Sequence, residues 1–131
     1  MLGAAGLAVA WALVVGQAIP WFTSAKLADS QQAARRGDLQ AAVEAASDAK
    51  SLQPWAASPY LQLALLAEQQ HDLPRAESLI AQAIKRDSVD WQLWYVRSRL
   101  AREAGRVVEA QHYVARAHAL NPRSPLFAVG R

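Results

Sequence analysis

The sequence repeats at a period of 34 residues, which restricts it to a stack of helical hairpins, because that spacing is the length of one helix-turn-helix unit. Arg36-Gly37-Asp38-Leu39-Gln40-Ala41-Ala42 aligns with Gln70-His71-Asp72-Leu73-Pro74-Arg75-Ala76 and with Ala104-Gly105-Arg106-Val107-Val108-Glu109-Ala110. Ala42, Ala76 and Ala110 fall in register, as do Ala49, Ala83 and Ala117, then Pro54, Ser88 and Pro122, without an insertion. The units run over residues 23–56, 57–90 and 91–124, with 125–131 as a tail. One hairpin cannot bury its apolar face alone, so stability comes from stacking, and about three units are the usual minimum.

Local chemistry supports two helices per unit. In the second, Ser58 can cap a helix with Pro59 at its first position, and Tyr60, Leu63, Ala64 and Ala67 recur on one face. Asp72 opens the next helix, whose apolar face is Ala76, Leu79, Ile80, Ala83 and Ile84. The third unit follows the same plan, with Asp90 as cap, Trp91, Trp94 and Ser98 on its first helix, and Gly105 at the turn. Ala110, Tyr113, Val114, Ala117 and Leu120 mark its second helix, which Asn121-Pro122 stops. The first unit is degenerate, with Lys26 and Asp29 where the second has Tyr60 and Leu63. Trp91 and Trp94 read as packing between repeats, and Leu126 and Phe127 are expected to fold back over the last pair.

Residues 1–22 carry no charge. About 20 apolar residues cross the hydrocarbon core as a helix, and Trp21 and Phe22 stand where an aromatic anchor meets the membrane–water boundary. A cleaved secretory signal and a buried core helix are the alternatives; a signal would want a basic leader, which is missing before Leu2, and Thr23-Ser24-Ala25 is a poor cleavage site. Gly3, Gly6 and Gly16 suit contact with other helices in a membrane. The basic residues near the span, Lys26, Arg35 and Arg36, place the body on the cytoplasmic side if Met1 is the native start. The expected class is therefore all-α, an N-terminal transmembrane helix over 1–22 followed by a short α-solenoid.

The period, the turn residues and the aligned alanines resemble the tetratricopeptide repeat, with Trp94, Ser98, Ala110, Ala117 and Pro122 at that family's signature positions. Arg97 stands where a leucine is usual, and His71 replaces the turn glycine of the second unit. The resemblance implies that the first helix of each unit lines a concave groove for a protein or peptide. It puts Ser58, Leu61 and Leu65 of the second unit, and Gln92, Tyr95 and Arg99 of the third, on that groove. Helical spacing then extends the stripe through Arg102 to Arg106, giving a phenol and three guanidinium groups suited to an acidic partner. The solvated-face alternative has these arginines covering neighbouring apolar surface. Leu27 and Gln31 replace the Lys and Asn with which some members grip chaperone C-terminal carboxylates, so that ligand is not expected.

Charge is uneven along the body. Residues 23–96 hold seven basic and nine acidic side chains, whereas 97–131 hold seven arginines and two glutamates. Nucleic acid is not an expected partner, because aromatic side chains do not alternate with the arginines as a stacking platform would require. No cysteine is present, which removes thiolate metal sites and cysteine nucleophiles. His112 and His118 lie six apart, off the i, i+4 spacing of a helical metal pair, and Asp38, Asp72, Asp87 and Asp90 fall at turns where capping explains them. No Gly-rich phosphate loop or nucleophile elbow appears, so no catalytic residue, metal or cofactor is expected.

The apolar run ending in Pro20-Trp21, the Arg35-Arg36-Gly37-Asp38-Leu39 turn, Asp90-Trp91 with Trp94-Tyr95, and the closing Leu120-Asn121-Pro122-Arg123-Ser124-Pro125-Leu126-Phe127 also resemble the C-terminus of bacterial O-antigen ligase and polymerase-type membrane proteins. That resemblance implies a non-catalytic tail positioning partners of a surface-polysaccharide enzyme. Two functional expectations follow: a membrane-tethered interaction module, or a structural stack bracing or oligomerising a membrane complex against anionic headgroups.

Overall fold

The computed structural model describes residues 24–127, and those residues are all-α. The chain divides into two compact units, Met1–Pro54 and Trp55–Arg131. In the first, α1 (residues 24–35) and α2 (Leu39–Leu52) form a hairpin. In the second, α3 (Ala57–Gln69) pairs with α4 (Leu73–Arg86), α5 (Trp91–Glu103) pairs with α6 (Val107–Leu120), and a 3-10 turn follows at Pro125–Phe127. Among the described residues no helix is long and apolar enough to cross a membrane. The span expected over residues 1–22, with Trp21 and Phe22 at its boundary, lies outside the described residues.

Each hairpin turns by one device. Gly37, His71 and Gly105 have φ of 79°, 59° and 80°, the left-handed conformation that reverses a chain after a helix. The next amide in each turn donates five residues back, closing a six-residue loop: Asp38 to Ala33 (3.0 Å), Asp72 to Ala67 (2.9 Å) and Arg106 to Ala101 (2.8 Å). The left-handed residue itself donates to Ala34, Glu68 or Arg102. This paired pattern satisfies carbonyls that a helix end would otherwise leave unbonded. Asp38 and Asp72 then cap the second helices, accepting from the Ala41 and Arg75 amides at 3.1 and 3.2 Å.

The periodic alanines are the seam of each hairpin. Ala42, Ala76, Ala49, Ala83 and Ala117 are fully buried and Ala110 is 2% exposed. Opposite them on the first helices stand Ser30, Ala64 and Ser98, again 34 apart and buried. Ser30 Oγ donates to the Ala42 carbonyl at 2.7 Å, so the two helix backbones of that hairpin meet with almost nothing between them. Leu63, Leu66, Leu79, Ile80, Ile84, Leu93 and Leu100 complete the core of the second unit. Burying such side chains contributes roughly 1.5–3 kcal/mol each.

Two local expectations are corrected. Ser58 is not a cap: α3 starts two residues earlier than expected, with Ala56 as its uncapped boundary, and Pro59 falls within the first turn, where its missing N–H costs nothing. Trp94 packs on its own hairpin, its ring 6.1 Å from Tyr113, and also reaches back to the preceding unit, where its Nε1 donates to the Ser88 carbonyl at 2.9 Å. Of the two residues expected to fold back, Phe127 does, against Trp91, Tyr95 and His118, whereas Leu126 is 55% exposed.

His71 bears the steric cost of a left-handed backbone, about 1–2 kcal/mol for a residue with a Cβ. His71→Gly is expected to raise stability by about 0.5–1 kcal/mol once glycine's extra unfolded-state entropy is subtracted. Gly105→Ala should lower it by a similar amount, through backbone conformation alone, since a Cβ there would meet nothing within 4 Å. Denaturant melts of the two variants against the parent chain check both signs.

Candidate interaction surface

The face expected to take a partner is built from α3 and α5. Leu61 and Leu65 stand one turn apart on α3, both half-buried, while Gln92, Tyr95 and Arg99 follow a single stripe of α5. Gln92 is exposed and Tyr95 half-buried, its ring 6.5 Å from Trp91 and 6.3 Å, edge-on, from Phe127. Asp90 fixes the start of α5 by accepting from the Gln92 amide at 2.9 Å.

Arg99 is held by a carboxylate of the preceding hairpin. Its Nε donates to Glu68 Oε1 at 2.7 Å and its Nη2 to Glu68 Oε2, a two-pronged pair that ties α5 to α3. The hydrogen bond to Glu68 raises the guanidinium pKa further above its already high ordinary value, against a smaller lowering by burial. Any stability this contributes is complete below the ordinary arginine value and is lost only as pH rises past the raised one. Arg99 therefore stays charged across the physiological range.

Arg106 does not continue the stripe. Helix α5 ends at Glu103, Gly105 reverses the chain, and Arg106 becomes the residue that precedes α6. Its guanidinium pairs with Glu77 of α4, and its Nε lies 3.3 Å from Glu109. The pair with Glu77 is the main cause of its raised pKa. Arg102 is exposed and lines a groove of about 380 Å³ at the outer side of α5 and α6, with Gln111, Val114, Ala115, His118 and Phe127. The four-residue stripe read from helical spacing thus separates into a half-covered phenol, two ion-paired arginines and one arginine on a different surface.

The sequence reading missed the chemistry around Arg97. Where a leucine would be usual, this guanidinium lies 4.6 Å from the Tyr113 ring centre and 6.0 Å from that of Trp94, and Arg116 approaches Trp94 at 5.8 Å. Attraction between a cation and a ring face lets the arginine replace the leucine without a carboxylate. The signal was available as two aromatics, Trp94 and Tyr113, each three residues from an arginine. His71, His112 and His118 are all exposed.

No family model matches the chain, and no curated protein matches it. Solved structures do. The O-GlcNAc transferase of Thermobaculum terrenum matches at a TM-score of 0.75 and 21% identity, over 80% of this chain and 20% of that one. The second TPR domain of Spaghetti (RPAP3), bound to the HSP90 peptide SRMEEVD, gives 0.71 and 16%, over 76% of this chain and 93% of that one. The Yersinia enterocolitica type III secretion chaperone SycD, in complex with a peptide of the translocator YopD, gives 0.73 and 13%, over 80% of each. At these identities the likeness shows the fold, which is that of tetratricopeptide repeats. The chain spans one fifth of the transferase, so nothing of that protein's activity passes to it.

Arg99 and Glu68 are coupled across two helices, with side chains 45% and 16% exposed. A double-mutant cycle with Arg99→Ala and Glu68→Ala should give a coupling of about 0.5–1 kcal/mol after solvent screening, smaller at high salt. Chemical denaturation of the four chains at low and high salt measures it.

Proposed function

We propose that this chain is a non-enzymatic protein-interaction module, held at a membrane through residues 1–22, that takes a peptide or protein segment on the face formed by α3 and α5. The observation that carries the reading is the repeat fold with Leu61 and Leu65 incompletely buried beside the Tyr95 and Arg99 stripe. Two of the similar structures, those of Spaghetti and SycD, hold peptides, which supports a peptide ligand here. The Arg99–Glu68 and Arg106–Glu77 pairs revise the expected preference. With those guanidinium groups already neutralised, the face favours a partner that buries apolar side chains on Leu61, Leu65 and Tyr95 over one that is simply acidic. The uncharged run over residues 1–22 supports the tether. A tail of an O-antigen ligase-type protein remains a reading that rests on sequence motifs alone.

Photo-crosslinking in the native host tests this reading. A photoreactive residue at Leu61 or Leu65 is expected to give a discrete adduct, and one at Val108, 80% exposed on α6, is expected to give none. Lack of any adduct from α3 would overturn it. For the tether, the full chain should remain with membranes after alkaline extraction, and a chain lacking residues 1–22 should be released.

A further inference from the structure

The groove lined by Arg102 is the stacking surface of the repeat carried to the α5–α6 hairpin. Subtracting one period from its six lining residues, Arg102, Gln111, Val114, Ala115, His118 and Phe127, gives Glu68, Glu77, Ile80, Ala81, Ile84 and Leu93. The inner set lies where α5 meets the α3–α4 hairpin: Ile80, Ile84 and Leu93 are 0, 7 and 1% exposed, and Glu68 and Glu77 are gripped by Arg99 and Arg106. At the outer set, Val114 is only half-buried and Ala115 and His118 are exposed. Phe127 already takes the place that Leu93 takes inside, so the uncovered stretch begins one turn further along.

The two surfaces differ in sign. Inside, the receiving hairpin offers Glu68 and Glu77 and the arriving segment brings arginines. Outside, the receiving hairpin offers Arg102, which has no carboxylate in reach among the described residues, and the neutral Gln111. We infer that this groove docks an amphipathic helix of a partner chain, with an aliphatic ridge against Val114 and Ala115 and a carboxylate on Arg102. A second copy of this chain fits less well. The position that meets Arg102 would be filled by Gln31 from α1, Leu65 from α3 or Arg99 from α5, none of them acidic. Charge complementarity and continuity with the inner interface thus select a different, acidic helix, on a surface separate from the α3–α5 face.

The probe is a stapled helical peptide with the sequence of α5 carrying Arg99→Glu, titrated against the full 131-residue chain in mild detergent. It is expected to bind at least about fivefold tighter than the same peptide with the native arginine, and Arg102→Glu in the protein should reverse that order. Ala115→Trp, at an exposed floor position, should block binding with helicity unchanged, and Leu61→Glu should not affect it. Failure of both peptides to bind, a preference indifferent to Arg102, or loss with Leu61→Glu would overturn the assignment. So would a reversible dimer of the full chain, seen by sedimentation, that Arg102→Glu or Ala115→Trp abolishes; that result would give the groove to a second copy.

Discussion

The close approach of the two helices within each hairpin governs the rest of the structure. A hydrogen bond of 2.7 Å from Ser30 Oγ to the Ala42 carbonyl is possible only if side chains no larger than serine and alanine stand between the backbones. Small buried residues recur at the equivalent positions, Ala64 and Ala76, then Ser98 and Ala110, all at most 2% exposed. A larger residue at any of these sites would force the helices apart, because a close-packed interior has no free volume to absorb it. With the seam fixed by small residues, larger side chains are displaced to its flanks. There Leu66, Ile80, Leu93 and Leu100 can fill the space around it.

That seam also explains why the turns are so uniform. Helices held at one separation must be joined by one reversal, and the left-handed residue with its six-residue hydrogen bond provides it three times. His71 shows that the reversal outranks local preference: the chain accepts a strained histidine rather than a different turn. Spending stability there is tolerable because the hairpin it closes contains much of the apolar core of the second unit.

Most of this was legible in the sequence because it is periodic. The alanine registers, the turn positions and the Asp38 and Asp72 caps follow from counting 34, and each falls where counting puts it. The errors came from reading residues one helix at a time. Ser58-Pro59 looks like a helix start in isolation, yet the equivalent of the Asp90 cap is Ala56, which cannot cap by side chain. Arg106 looks like a continuation of Arg99 and Arg102 on a helical wheel, yet Gly105 has already turned the chain. The partners of Arg99 and Arg106 lie 31 and 29 residues back, a separation that no single-helix pattern samples.

The same separation determines what the C-terminal positive charge can do. Seven arginines and two glutamates after Val96 suggest a broadly cationic surface. The fold spends two of those arginines on carboxylates of the preceding hairpin and directs Arg97 and Arg116 to aromatic rings. Charges committed at such short range project little field beyond a Debye length. The α3–α5 face is therefore defined more by the apolarity of Leu61, Leu65 and Tyr95 than by charge. Arg102 differs from these arginines, with no carboxylate in reach among the described residues. If the α5–α6 groove takes a partner as proposed, Arg102 makes it, more than the α3–α5 face, the place where electrostatics would discriminate among partners.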